Sequence, residues 1–129
     1  MRTDLKIVNT KMAPAAIGPY SQGIKYGDVY YFSGQIGLIP ETMELEKDFK
    51  TQLSRTLKNI EGLLKSEGLT TDHIIKTTIF LTDMSNFPKV NELYEHFFSK
   101  PFPARSCVEV SKLPKEALIE IEVIATQHV

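Results

Sequence analysis

Cysteine occurs once in the 129 residues, at Cys107. A single thiol excludes an intrachain disulfide and a Cys-rich zinc site, and it fits a reducing, cytoplasmic compartment. Long hydrophobic runs are missing too. The longest uninterrupted apolar stretch is Val29-Tyr30-Tyr31-Phe32, far short of the ~20 residues a membrane-spanning helix needs. Met1-Arg2-Thr3-Asp4 has no apolar leader core behind it, so no targeting segment is expected. Neither sign of charge dominates. Fifteen basic and sixteen acidic side chains leave a net charge of −1. That balance argues against nucleic acid as the main partner and against anionic membranes. There is no internal repeat and no low-complexity tract.

What is present is enough for one domain, taken as residues 1–129. Apolar residues make up 42 % of the chain and charged residues 24 %. A chain of this length buries roughly two-thirds of its unfolded surface and needs no metal or disulfide to fold. Residues 9–23 read as a loop, with Pro14, Gly18, Pro19 and Gly23 close together. A short strand is expected near Lys6-Ile7-Val8. Ile24-Lys25-Tyr26 leads through Gly27-Asp28, a hairpin turn signal, into a strand from Val29 to Ile36. Phe49, Leu53, Leu57, Ile60 and Leu64 recur at helical spacing and predict a helix over 48–67, opened by Asp48 and closed by Gly68. Residues 74–81 predict a strand. A second helix is expected over 86–98, capped by Asn86, with Pro88 in its first turn and a stripe of Phe87, Val90, Tyr94, Phe97 and Phe98. Strands over 104–110 and 117–126 complete the order β-β-β-α-β-α-β-β. The fold class is α/β of the α+β kind: a mixed six-stranded sheet with two helices on one face and right-handed crossovers.

Two helices cover one face of such a sheet and leave the other bare. In the last strand Ile119, Ile121, Val123 and Ala125 make a clean core face, whereas Leu118, Glu120, Glu122 and Ile124 mix apolar groups with carboxylates. In the strand before it, Ser106, Val108 and Val110 alternate with Arg105 and Cys107. With the valines turned to the helices, Arg105 and Cys107 are expected on the same uncovered face as Glu120. A face carrying Leu118, Ile124 and tyrosines implies a homo-oligomer that covers it, with polar residues left around clefts at the joins.

The sharpest constellation is Pro103-Ala104-Arg105-Ser106-Cys107-Val108-Glu109-Val110 followed by Ile119-Glu120-Ile121-Glu122. With Ala13-Pro14-Ala15-Ala16-Ile17-Gly18-Pro19-Tyr20-Ser21-Gln22-Gly23, Ser33-Gly34-Gln35-Ile36 and Lys76-Thr77-Thr78-Ile79-Phe80-Leu81, it resembles the RidA/YjgF family of reactive intermediate deaminases over essentially the whole chain. The resemblance implies a chorismate-mutase-like fold assembled as a homotrimer, with active clefts between subunits. It also implies hydrolysis of enamines and imines, such as 2-aminoacrylate and 2-iminobutanoate, to 2-oxo acids and ammonia, without metal or organic cofactor. The connection Ser99-Lys100-Pro101 beside the Arg105 strand looks shorter than in many relatives.

The residue types suit that chemistry. Arg105 offers a planar fork to the carboxylate of a small imino acid. An imine carbon is already electrophilic, so an oriented water and a proton route suffice, and Glu120 is the group expected to supply them. Tyr20 and Ser33 offer hydroxyls, Gly34 lets the backbone approach the ligand, and Asn91 and Cys107 line or support the pocket. Blander readings stand beside these. Arg105 and Glu120 make an ion pair fixing the oligomer, Cys107 is a small buried thiol, and Phe87, Tyr94, Phe97 and Phe98 are core rather than a stacking platform. A Cys107 nucleophile lacks a nearby histidine, since His73, His96 and His128 lie elsewhere in the sequence. A non-catalytic carboxylate-binding protein and an RNA-directed ribonuclease or translation inhibitor are the alternative functions.

Overall fold

A computed structural model describes residues 4–129; Met1 to Thr3 lie outside the described residues. The elements are β1 (Leu5–Val8), β2 (Gly23–Tyr26), β3 (Val29–Phe32), α1 (Phe49–Ser66), β4 (Ile74–Leu81), α2 (Phe87–Phe97), β5 (Ala104–Glu109) and β6 (Ile119–Thr126). They form one six-stranded sheet in the order β1-β2-β3-β6-β4-β5. Only β4 and β5 pair in parallel; every other neighbouring pair is antiparallel. The last strand thus enters between β3 and β4, and the Arg105 strand takes the edge. Among the described residues no helix is long and apolar enough to cross a membrane.

Helix α1 begins as its sequence demands. The Asp48 carboxylate accepts from the Thr51 amide at 2.9 Å, and the Thr51 hydroxyl closes the box on the Asp48 backbone. It ends where Gly68 turns with φ +71°, letting the Gly68 and Leu69 amides donate to the carbonyls of Lys65 and Leu64. Its apolar stripe packs against Ile79, Ile119, Ile121, Val123 and Ala125 on the covered face of the sheet. A second stripe, one the apolar periodicity does not reveal, is polar and equally buried: Gln52, Thr56 and Asn59. Gln52 accepts from the Leu118 amide at 2.8 Å and donates to the Glu46 carbonyl at 2.9 Å. Asn59 donates to the carbonyls of Ile36 and Leu38 at 3.2 and 2.8 Å. The helix therefore holds the irregular segment after β3 by its backbone.

Three expectations need correction. First, the strand expected to reach Ile36 stops at Phe32. The chain leaves the ladder at Ser33-Gly34 and rejoins it for one bridge, where Gln35 and Ile121 exchange hydrogen bonds of 2.8 and 3.0 Å. Second, Asn86 does not cap α2 with its side chain, because a tight turn over Met84–Asn86 runs directly into the helix and its backbone is already helical. Asp83 caps that turn instead, accepting from the Ser85 amide at 2.9 Å.

The third concerns β5, whose alternation is opposite to that expected. Arg105 and Cys107 stand beside Thr77 and Ile79 of β4, both wholly buried under the helices. Val108 faces outward and is 45 % exposed. The valines could be read as core only by composition. At an edge strand roofed by α2, the helix supplies a polar and aromatic partner for Arg105, and the valines are left on the open face.

That open face is apolar. Ile7, Ile24, Tyr31 and Ile124 form one continuous cross-strand row, with Ile7 70 % and Tyr31 50 % exposed. Replacing Asn59 by Ala leaves the Leu38 carbonyl without a donor and the Ile36 carbonyl with the Leu38 amide alone. The expected loss is about 2–4 kcal/mol of unfolding free energy in urea titrations at fixed protein concentration.

Candidate active site

The predicted site residues fall into two groups, one on each side of the sheet. The first group surrounds Glu120. Alternation along β6 sends Ile119 and Ile121 into the core and Glu120 to the open face, opposite Phe80. There Glu120 shares a cavity of about 460 Å³ with Tyr20, Ser33 and Gly34. Ile17, Ile36 and Lys115 also line it. Gly34 is where the chain leaves the sheet, and a methyl group on it would collide with the Glu120 carboxyl group. The strand break and the glycine are thus two parts of one device that makes room for a carboxylate.

Tyr20 is half-exposed at the end of the 9–22 loop. Gly18 allows the turn before it, with φ +126°, and the Tyr20 amide donates to the Gly18 carbonyl at 2.9 Å. The loop is held by a residue that the sequence did not single out. Buried Gln22 accepts from the Thr10 amide at 2.7 Å and donates to the carbonyls of Thr10 and Pro14 at 2.9 and 2.8 Å. Its backbone carbonyl accepts from the Ser33 amide at 2.9 Å, and the Ser33 hydroxyl donates to the Ser21 carbonyl. Loop and strand end therefore form one wall. A glutamine amid small loop residues was the available signal, since such a loop needs a long amide to satisfy its backbone.

The second group surrounds Arg105 on the helix side. Its Nη1 donates to Asn91 Oδ1 at 2.7 Å. The guanidinium carbon lies 5.0 Å from the centre of the Tyr94 ring and 5.2 Å from that of Phe87, within cation–π range. Phe87, Asn91 and Tyr94 recur at i, i+4 and i+7, so one face of α2 supplies all three. The aromatic stripe is therefore core and a platform for Arg105 at once, which corrects the reading as core alone. Among the described residues Arg105 pairs with no carboxylate; the ion pairs there are Arg55–Glu46 and His128–Asp28. An Arg105–Glu120 pair within the chain is excluded, because the two side chains leave opposite faces of the sheet.

Cys107 is half-buried against the core, two residues along the same face from Arg105. Burial pushes its thiol pKa up, only partly opposed by the Arg105 charge. A thiol so placed is a poor nucleophile near neutral pH. Among the described residues no group of three or more His, Cys, Asp or Glu side chains is arranged to hold a metal ion.

Burial also raises the Glu120 carboxyl above the ordinary glutamate range, and the Glu122 charge adds to the effect. A carboxyl with a raised folded pKa contributes stability that is complete below its unfolded pKa and is lost as pH rises through the folded one. Glu120→Gln is therefore expected to melt higher than the wild type at about pH 7.5, with the gap closing as the pH falls toward about 4. Thermal melts across that range check it, and a variant less stable at the higher pH would contradict it.

Comparison with known proteins gives the family and the fold. The family model described as Endoribonuclease L-PSP matches residues 10–127. The chain is 46 % identical over 126 residues to the 2-iminobutanoate/2-iminopropanoate deaminase of Escherichia coli K12, covering 95 % of this chain and 98 % of the relative. The structure of RidA from an Antarctic Psychrobacter superposes with a TM-score of 0.91 at 41 % identity, covering 94 % of this chain and 98 % of that one. The structure of E. coli TdcF with bound serine gives a TM-score of 0.90 at 42 % identity, over 95 % of this chain and 99 % of that one. Fold, motif segments and near-complete coverage agree, and the chain belongs to the RidA/YjgF family.

Proposed function

We propose that this protein hydrolyses small 2-imino acids and their enamine tautomers, among them 2-aminoacrylate and 2-iminobutanoate, to 2-oxo acids and ammonia. The observation that carries this reading is the state of Arg105. Its guanidinium is held by a neutral amide and two aromatic rings and is left without a carboxylate among the described residues. An arginine so held is a receptor for a ligand carboxylate. The deaminase name of a relative 46 % identical supports the same reading.

In this mechanism Arg105 binds the substrate carboxylate and fixes the C=N carbon in the cleft. Water adds to that carbon, breaking the C=N π bond and forming a carbinolamine. Glu120 takes the proton from water as the C–O bond forms and returns it to the amine nitrogen. Glu120 then takes the carbinolamine hydroxyl proton and passes it to the nitrogen as the C–N bond breaks, so that ammonia leaves and the C=O bond of the 2-oxo acid closes. The raised proton affinity of Glu120 suits a group that must both accept and donate near neutral pH. Tyr20 and Ser33 orient the water and substrate, and Gly34 leaves space for them. All of these steps use this chain's own side chains; no metal or organic cofactor is part of the proposal.

We place the reaction between subunits of a homotrimer, in the cytoplasm. The opposite placement of Arg105 and Glu120 supports a cleft that one subunit's Arg105 half and another's Glu120 half close together. The row Ile7, Ile24, Tyr31 and Ile124 supports burial of the open face against copies of the same chain. The balanced charge favours a small carboxylate over RNA as ligand.

The test generates 2-iminobutanoate from threonine with a threonine dehydratase and follows loss of the imine. Wild-type protein is expected to accelerate it. Arg105→Ala is expected to lower kcat/KM by about 100-fold or more, the loss of a bidentate charged contact. Full activity in that variant contradicts the anchoring role. Binding of 2-oxobutanoate without any acceleration by wild type favours the non-catalytic carboxylate-binding protein.

A further inference from the structure

The contacts beneath Arg105 extend one layer further into the protein. Thr77 lies directly beside Arg105 across the β4–β5 ladder and is wholly buried. Its hydroxyl is 2.9 Å from the hydroxyl of Tyr94, which is also buried. The Tyr94 ring in turn lies under the guanidinium. Packing alone does not call for this pair. A valine and a phenylalanine would fill the same volume without placing two hydroxyls in the core, where each is costly unless bonded. The pair does something a Val–Phe pair cannot. It ties the outer end of the Tyr94 ring to the strand that runs beside Arg105. The ring's place then follows the sheet rather than the helix alone.

An arginine needs such a support. Its side chain loses rotamer freedom when fixed, so a fork already held in place binds a carboxylate bidentately at lower cost. Asn91 takes one N–H, and the Phe87 and Tyr94 rings lie 5.2 and 5.0 Å from the guanidinium carbon. We propose that Thr77 and Tyr94 are positioning residues of the carboxylate-binding half-site: the bond between their buried hydroxyls holds the Tyr94 ring, and the ring holds the Arg105 guanidinium. The proposal rests on the reading of Arg105 as the carboxylate anchor.

Thr77→Val and Tyr94→Phe each delete one hydroxyl with little change of shape, and the double variant deletes both. The full-length proteins are compared by calorimetric titration with 2-oxobutanoate, by imine-hydrolysis kinetics and by thermal melting. Each single change is expected to raise the Kd and the KM by about 3- to 10-fold, while kcat moves by less than about twofold. The double variant is expected to be no worse than the poorer single one, since both remove the same bond. Thr77→Ser, which keeps the hydroxyl, is expected to rescue most of the loss.

Melting temperatures that fall while Kd and KM stay at wild-type values would show a purely structural pair and overturn the proposal. So would effects that multiply in the double variant, or a serine that rescues nothing. Arg105→Ala separates the two levels. Binding lost there but intact in Thr77→Val and Tyr94→Phe removes the positioning role alone, whereas binding retained there removes the anchor and the positioning role together.

Discussion

Side chains on a β-strand point alternately to the two faces of its sheet, and the helices here cover only one of those faces. These two facts constrain everything the chain can do by itself. β5 and β6 both flank β4, so Arg105 and Glu120 lie within two strands of each other. Register nevertheless sends Arg105 to the covered side, beside Thr77, and Glu120 to the open side, opposite Phe80. No rotamer change brings both to one small ligand through the sheet between them. Each side holds its own charged group in place. Asn91 and two rings hold the cation; a strand break, a glycine and a loop shaped by Gln22 surround the carboxyl. On this account two half-sites need a second copy of the chain, and the apolar open face is the surface that brings it.

The polar residues within the covered layer serve the same end. Gln52 and Asn59 hold the backbone of the segment after β3, and Gln22 holds the backbone of the loop before it. Neither segment has a regular ladder of its own, so buried amides satisfy carbonyls that a strand would have paired. This is how an irregular wall is kept rigid. Regular strands running through the same region would have sent a side chain into the space that Glu120 occupies.

Much of this was legible in the sequence. The helices, the succession of strands and helices along the chain and the family segments follow from periodicity, caps and motif residues, each a local signal. The face of β5 was not legible. Alternation tells which residues of a strand share a face, but Arg105 and Cys107 on one side, and Ser106 and Val108 on the other, offer no clear hydrophobic contrast. The covered side was settled by α2, a tertiary neighbour. The same limit explains Phe87 and Tyr94. Their spacing marks a buried helix face and says nothing of a cation resting on it. Asn86 misled because its capping composition is right, while the turn before the helix leaves its backbone already helical. The roles of Gln22 and Asn59 are not legible, because a buried polar residue carries no periodic signature.

The site as proposed takes Arg105 from one subunit and Glu120 from another. Subunit mixing tests it most directly. Arg105→Ala and Glu120→Gln, each inactive alone, are unfolded together, refolded and assayed for imine hydrolysis beside either variant treated by itself. Random equal mixing leaves about one cleft in four with both groups intact. The mixture is expected to recover up to about a quarter of wild-type activity. A mixture of verified mixed oligomers that stays as inactive as its components would contradict it.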